Sequence, residues 1–151
     1  MVKNKKFKFE INRGHLLVGD DEIYLNWVNL IGIKESMLRE GEYAIYLHTT
    51  NTILELYYTG NRDEVYTAFE ELSREICEKY PVFFPMFHNE LVNFRNIQEI
   101  SHFGGMLTNS KVKITFKRGE DLVRLATKAE YKNIKSDFEE YKESRKKSVT
   151  V

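Results

Sequence analysis

Two helix-start signals of the same type, 66 positions apart, constrain the fold of this chain more than any other feature. Asn61-x-x-Glu64 and Thr127-x-x-Glu130 both have the spacing of a capping box, in which each side chain accepts a hydrogen bond from the other residue's backbone N–H. Apolar stripes at helical spacing follow the two boxes: Val65, Phe69, Leu72 and Ile76, then Tyr131, Ile134, Phe138 and Tyr141. The sequence therefore predicts one helix over 61–80, which ends before Pro81, and a second over 128–144.

Segments that alternate between apolar and polar residues precede both helices, and a period of two is typical of half-buried strands. Two pairs of such segments flank a short turn: 43–49 and 52–59 around Thr50-Asn51, and 111–117 and 121–126 around Arg118-Gly119-Glu120. Further strand candidates are 6–11, 15–18, 23–27, 30–34, 90–93 and 97–103. Because the turns are short, we expect mostly antiparallel sheet.

The order of these elements recurs along the chain, which indicates a tandem repeat. NWVNLIGI at 26–33 matches NFRNIQEI at 93–100 at an offset of 67, and the capping boxes match at 66. Any two strand-rich segments that end in a helix share some likeness, but that alternative does not account for the near-constant spacing. We predict an α+β fold in which a small antiparallel-β unit closed by a C-terminal helix is repeated, with pseudo-twofold symmetry.

The predicted first repeat covers 1–80 and the second repeat covers 81–145, followed by a frayed tail at 146–151. Each repeat alone is close to the lower size limit for independent folding, so we expect the two to share one core. In the order of its strands and helix, each repeat resembles pleckstrin-homology-like modules. The stretch HNELVNFRNIQEI at 88–100 also resembles the strand region of LytTR-type DNA-binding domains, although His88 lies one residue closer to Val92-Asn93, and we carry no DNA-binding role over from it.

The sequence contains no arrangement of residues that is typical of a catalytic or metal site. Cys77 is the single cysteine, which rules out an internal disulfide and a zinc site built from cysteines. It lies near a helix C-terminus between Glu75 and Glu78, where the dipole and the charges disfavour a thiolate. The four histidines lack metal-binding spacing: His15, His48, His88 and His102. Gly104-Gly105 lacks the Lys-Ser/Thr that completes a phosphate-binding loop.

We therefore expect a protein that is not an enzyme and that uses no metal or cofactor. No run of 18 apolar residues occurs, which favours a cytoplasmic protein without a membrane partner. Basic and acidic residues balance at 23 each, but residues 89–151 hold 13 basic and 9 acidic residues. A neutral chain is not a general polyanion binder, whereas its C-terminal part could bind anions locally.

The two predicted hairpins differ in the residues on their outer faces, and this is where we expect function. At offset 67, Lys111 and Lys113 correspond to Ala44 and Tyr46. In one interpretation this face of the first repeat is covered by the rest of the protein, while lysines keep the second repeat soluble. In the other it forms an exposed patch for a protein partner, with the candidates Tyr24, Tyr46, Tyr57 and His48. The candidates for phosphate or nucleic-acid contact are Lys111, Lys113, Lys117, Arg118 and Arg124.

The leading hypothesis is a non-enzymatic cytoplasmic protein-binding module, either an adaptor or an inhibitor of the kind carried by phages and mobile elements. The alternative is a nucleic-acid or nucleotide-binding module that uses the basic face of the second repeat. An open sheet edge would also allow a homodimer.

Overall fold

The computed structural model describes residues 8–35, 39–51, 53–87, 89–104 and 110–149, with the backbone alone at 53–57 and 147–149. The strands are β1 (Glu10–Asn12), β2 (His15–Val18), β3 (Asp21–Tyr24), β4 (Val28–Glu35), β5 (Tyr43–Thr49), β6 (Ile53–Gly60), β7 (Phe83–Met86), β8 (Glu90–Asn93), β9 (Ile97–Phe103), β10 (Lys111–Phe116) and β11 (Leu122–Leu125). The α-helices are α1 (Arg62–Lys79) and α2 (Lys128–Val149), and two 3-10 turns cover Leu25–Trp27 and Phe94–Asn96.

All strand pairs in the described ranges are antiparallel, and they form three sheets with the orders β1-β2-β3, β6-β5-β4-β8-β7 and β11-β10-β9. Short turns join most neighbouring strands, as expected for antiparallel pairs. The predicted α+β class with antiparallel sheet is therefore confirmed. The likeness to pleckstrin-homology modules stays a prediction.

The chain divides into two compact units, Met1–Arg95 and Asn96–Val151. The N-terminal unit contains the first two sheets and α1, and the C-terminal unit contains the sheet β11-β10-β9 and α2. The hairpin β7–β8 follows the predicted end of the first repeat at 80, yet it lies in the N-terminal unit because β8 pairs with β4.

Helix α1 begins at the predicted capping box and packs its apolar stripe into the core of the N-terminal unit. The Asn61 side chain accepts a hydrogen bond from the Glu64 N–H at 2.9 Å, and the Glu64 carboxylate accepts one from the Asn61 N–H at 3.2 Å. The helix contacts β1, β4, β5, β6 and β7. Its buried side chains are Val65, Ala68, Phe69, Leu72 and Ile76. Burying each of the larger ones stabilises the fold by about 1.5–3 kcal/mol.

The 3-10 turn after β3 changes which residues face the core. Leu25 and Trp27 would share one face of a strand, but in a turn with about three residues per revolution they point in different directions. Leu25 is fully buried, whereas Trp27 is 59% exposed. The predicted strand over 23–27 is therefore wrong after Tyr24, where the 3-10 turn leaves the Trp27 side chain exposed.

The same local details occur before each helix. Leu25 N–H donates to Gly14 O and Phe94 N–H donates to Val82 O, both at 2.9 Å, so each 3-10 turn is tied back to the chain in the same way. Each turn also ends on a carbonyl that accepts a hydrogen bond at 2.8 Å: Trp27 O from Thr50 N–H, and Asn96 O from Lys117 N–H. The two turns are thus locally alike, and the tandem repeat of the whole unit stays a prediction.

A register shift recurs in the strand after each turn. The pairing of β4 with β5 passes over Asn29, and the pairing of β9 with β10 passes over Gln98. Leu25 and Phe94 are thus structural equivalents, and their offset is 69. The sequence match between NWVNLIGI and NFRNIQEI aligns Asn26 with Asn93 at an offset of 67. It is therefore shifted by two positions from the structural correspondence, whose offset is 69. In β5 the register shift lies between His48 and Thr49, and in β10 it lies between Thr115 and Phe116. The offset between these two strands is therefore the predicted 67.

Other boundaries differ by a few residues. Strand β1 begins at Glu10, and the first part of the predicted strand 6–11 lies outside the described residues. Strand β7 was not predicted, and it contains Pro85, which an edge strand tolerates because it needs no ladder hydrogen bond on its outer side. Helix α2 continues to Val149, beyond its predicted end at 144.

Candidate binding surfaces

An exposed aromatic cluster lies on the sheet β1-β2-β3 and the 3-10 turn that follows it. The rings of His15 and Tyr24 face each other across β2 and β3 with centroids 5.0 Å apart. Tyr24 and Trp27 meet edge to face at 5.6 Å, and Tyr24 is 38% exposed. We call these three residues the aromatic cluster; it presents stiff, largely apolar surface with polar tips to solvent.

The core side of the same sheet holds the cluster in place. Ile11, Leu16 and Ile23 are buried, and they alternate along the strands with the outward-facing residues. Glu22 lies beside the cluster, with its carboxylate 3.4 Å from His15 Nδ1. Both partners are substantially exposed, so this contact orients the side chains but adds little stability.

Tyr46 of the predicted patch is not on this surface, because it is only 8% exposed. Its hydroxyl donates to Glu90 Oε2 at 3.3 Å, and its ring lies across Gly32 on the neighbouring strand. A Cβ atom at Gly32 would stand 2.8–3.0 Å from the Tyr46 ring and hydroxyl, so only glycine leaves this space. At Tyr46 the structure thus follows the interpretation in which this face is covered.

Of the remaining patch candidates, His48 lies beside Tyr46, and the side chain of Tyr57 is outside the described part of the structure. His48 is half-buried, with its ring centroid 5.2 Å from that of Tyr46. Tyr57 lies in β6, where the structure describes only the backbone. Of the three predicted residues whose side chains are described, Tyr24 is the one that lies in an exposed aromatic cluster.

The outer face of the sheet β11-β10-β9 combines lysines with exposed apolar residues. Lys111 pairs with Phe103 on one side and with Leu125 on the other, and directly opposed residues share a face. Phe103 is 46% exposed and Leu125 is 63% exposed. In the next row Lys113 lies between Ser101 and Val123 and forms an ion pair with Asp121 at 3.4 Å. This outer face is therefore basic and apolar together.

The other predicted basic residues do not all join that face. Lys117 and Arg118 follow the end of β10 and are exposed. Arg124 pairs with Val112, which is buried, so it belongs to the opposite side of the sheet from Lys111 and Lys113. Its guanidinium donates to the Val123 carbonyl at 2.9 Å.

The single cysteine has the environment of a packed thiol. The Cys77 Sγ donates to the Phe83 carbonyl at 3.6 Å, and burial raises the pKa of the Cys77 thiol. A raised pKa keeps the sulfur protonated and weakly nucleophilic near neutral pH. Among the residues that the structure describes, no three His, Cys, Asp or Glu side chains come together as a metal site. Neither α1 nor the described part of α2 has the length and apolar character needed to cross a membrane.

Two functional candidates were missed by reasoning from the sequence. Trp27 was placed in the predicted strand over 23–27, and the 3-10 turn that exposes its side chain was not predicted. Phe103 was treated as the end of a strand, although its pairing with Lys111 could have been found from the two predicted strands once their register was known.

Comparison with known proteins adds no assignment to these surfaces. No protein-family model matches the chain, and a search of curated proteins finds no match.

Proposed function

We propose that the protein is a non-enzymatic protein-binding module, acting as an adaptor or inhibitor by occupying a surface of another protein. The exposed aromatic cluster carries this proposal. Trp and Tyr are the residue types that most often dominate interface energetics, because they bury large area at low conformational cost. Trp27 is 59% exposed and is held edge to face by Tyr24, so its indole is oriented at the surface.

The biological setting that we propose is cytoplasmic, with a phage or other mobile element as the source. The Lys-, Glu- and Asn-rich composition supports it. The half-buried Cys77 with its raised pKa is in keeping with a protein whose work is binding rather than covalent catalysis.

The proposal is tested by capturing partners from extracts of the native host with the wild-type chain and with Trp27→Ala. Removing the indole should weaken capture of the specific partner by about tenfold or more, the loss expected of a hot-spot residue. Leu125→Ala is the matched control, because it truncates an exposed apolar side chain of the other unit. Equal capture by Trp27→Ala and wild type, with both proteins folded by circular dichroism, would refute the aromatic cluster as the binding surface, and the absence of any partner specific to the wild-type chain would refute this function.

A nucleic-acid-binding module is the second candidate, and the pairing of Phe103 with Lys111 favours it. Single-stranded nucleic acid binds surfaces that combine cations for the phosphates with an aromatic ring on which a base stacks. A gel shift with single-stranded DNA or RNA that falls with salt and disappears in Lys111→Glu plus Lys113→Glu would establish this candidate. No shift at low salt would exclude it.

A further inference from the structure

The outer face of the sheet β1-β2-β3 carries carboxylates next to the aromatic cluster. His15 and Tyr24 oppose each other in one row of this face. The next row consists of Glu10, Leu17 and Glu22, which are opposed across the three strands. Because the two rows are two residues apart along each strand, their side chains point to the same side of the sheet. Both carboxylates therefore share a face with two rings of the cluster.

A short series of contacts joins the Glu22 carboxylate to the exposed indole. Glu22 Oε1 lies 3.4 Å from His15 Nδ1, and the Glu22 side chain is 63% exposed. The centroid of the His15 ring is 5.0 Å from that of Tyr24, which in turn is 5.6 Å from that of Trp27. One carboxylate and three aromatic rings thus form a continuous surface that is open to solvent.

The charges of the sheet that carries this surface are mostly negative. Residues 8–24 contain two basic residues, Lys8 and Arg13. The four acidic residues of the same range are Glu10, Asp20, Asp21 and Glu22, and all four are exposed. The local charge therefore favours a cationic partner, and it does so at the residues that surround the cluster.

The cations of the N-terminal unit do not neutralise this surface. Lys79 of α1 feels the charge of Glu10, but its ammonium group is already held by the Glu75 carboxylate at 2.9 Å. Among the residues that the structure describes, Lys8 and Arg13 form no ion pair and no ring contact. Glu22 and the three rings thus have no Lys or Arg partner in the described part of the chain.

Other rings of the molecule are covered by its own cations. The Arg62 guanidinium lies 5.3 Å from the centre of the Tyr66 ring. The other such pairs are Lys34 with Tyr46, Lys135 with Tyr131, Lys142 with Phe138 and Arg145 with Tyr141. No described Lys or Arg lies over Tyr24 or Trp27, although an indole attracts cations more strongly than a phenol or phenyl ring. The aromatic cluster is therefore able to accept a cation from another molecule.

We propose that the aromatic cluster and Glu22 bind an arginine side chain in a basic segment of the protein partner. The guanidinium stacks on the Trp27 indole and donates hydrogen bonds to the Glu22 carboxylate. Arginine suits this surface better than lysine, because its planar group is weakly hydrated, stacks on rings and presents a fork of donors to a carboxylate. The inference rests on the proposed protein-binding function and names the chemistry that the partner brings to the cluster.

The test uses the full chain and the pentapeptide Arg-Gly-Arg-Gly-Arg with blocked termini as the probe. Trp27 is the single tryptophan, so its fluorescence and its indole N–H resonance report on the cluster alone. Titration with this peptide should change both signals. The Lys-Gly-Lys-Gly-Lys peptide should bind about threefold more weakly. A peptide with citrulline in place of arginine keeps the planar shape without the charge, and it should bind about tenfold more weakly.

Variants test the role of the carboxylate. Glu22→Gln should weaken binding of the arginine peptide by about threefold, because the ion pair is lost while the rings stay in place. Asp121→Asn is the matched control, since it neutralises an exposed carboxylate of the other unit, and it should leave the affinity unchanged. Arg13→Ala should leave the affinity unchanged or raise it. The proposal is overturned if Trp27 does not respond to the arginine peptide, if the lysine or citrulline peptide binds as tightly, or if Glu22→Gln binds as well as wild type.

The outcomes separate this inference from the proposed function. Capture of a host protein that is lost in Trp27→Ala, together with no response to the arginine peptide, would overturn the arginine chemistry and keep the protein-binding function. A selective response to the arginine peptide, with no protein captured from the host by the wild-type chain, would support the chemistry of the site and refute the proposed function.

Discussion

The sheets β6-β5-β4 and β11-β10-β9 share one plan, but they differ in what covers them. In the first sheet the cross-strand pair is Gly32 with Tyr46, and the ring folds over the glycine toward Glu90. The equivalent pair in the second sheet is Ser101 with Lys113, whose ammonium group reaches Asp121. The two sheets have the same backbone hydrogen bonds and register shifts, but their side chains differ, and this difference determines which faces and edges are open. The open ones are where binding is expected.

The largest expected effect contrasts the cores under the two helices. Leu72→Ala on α1 removes a side chain that is almost fully buried, and it should lower the free energy of unfolding by about 3 kcal/mol. Ile134→Ala on α2 removes a half-buried side chain and should lower it by about 1 kcal/mol. Urea denaturation of both variants provides the measurement. Equal losses would show that the α2 stripe is as well covered as that of α1.

The buried side-chain amide of Asn93 gives the next largest expected difference in stability. The side-chain amide of Asn93 is fully buried and donates to the carbonyls of Val28 at 3.0 Å and Leu25 at 3.4 Å. Asn93→Ala leaves these carbonyls without that donor, so we expect a loss of about 2 kcal/mol. Tyr24 matches Asn93 at the offset of 69 that relates the two 3-10 turns, and Tyr24→Ala should change stability by about 0.5 kcal/mol or less. A thermal melt of each variant tests this, and a large loss for Tyr24→Ala would make it a structural residue.

Sequence reasoning placed the elements whose causes are local. The capping boxes, the hairpin over β5 and β6 and most strands of the C-terminal unit were predicted within one or two residues. Their signals, an i to i+3 spacing or an alternation of apolar residues, lie within a single segment. The fold class followed from the number and order of these segments.

The binding surfaces depend on contacts that no single segment contains. Trp27 is exposed because a 3-10 turn interrupts an alternation that looked continuous. Tyr46 is buried because Gly32 makes room for its ring and because Glu90, from a strand distant in sequence, accepts a hydrogen bond from its hydroxyl. Arg124 was expected beside the lysines, and only the register of β10 with β11 places it on the other face. The register between strands and the burial of sheet faces depend on contacts between distant segments. They could therefore not be predicted from any single segment.

The pair Gly32 and Ser101 provides a smaller contrast at matched positions. Gly32→Ala places a methyl group against the Tyr46 ring, so the ring must move or the strands must separate, and we expect a loss of about 1.5 kcal/mol. Ser101→Ala sits opposite Lys113 on an open face and should change stability by about 0.5 kcal/mol or less. Near-ultraviolet circular dichroism and urea denaturation report the ring movement and the stability. Retention of full stability in Gly32→Ala would mean that Tyr46 can leave its position without loss.

The smallest expected effect concerns the two capping boxes, which should contribute equally to stability. The Thr127 hydroxyl accepts from the Glu130 N–H at 3.1 Å and the Glu130 carboxylate accepts from the Thr127 N–H at 3.0 Å, which repeats the geometry at Asn61. Asn61→Ala and Thr127→Ala should therefore each lower the free energy of unfolding by about 1 kcal/mol, with a difference of about 0.5 kcal/mol or less. Urea denaturation followed at Trp27 and by far-ultraviolet circular dichroism measures both. If Thr127→Ala shifts the circular dichroism transition but leaves the Trp27 transition in place, the two units unfold separately, and the expectation of a shared core fails.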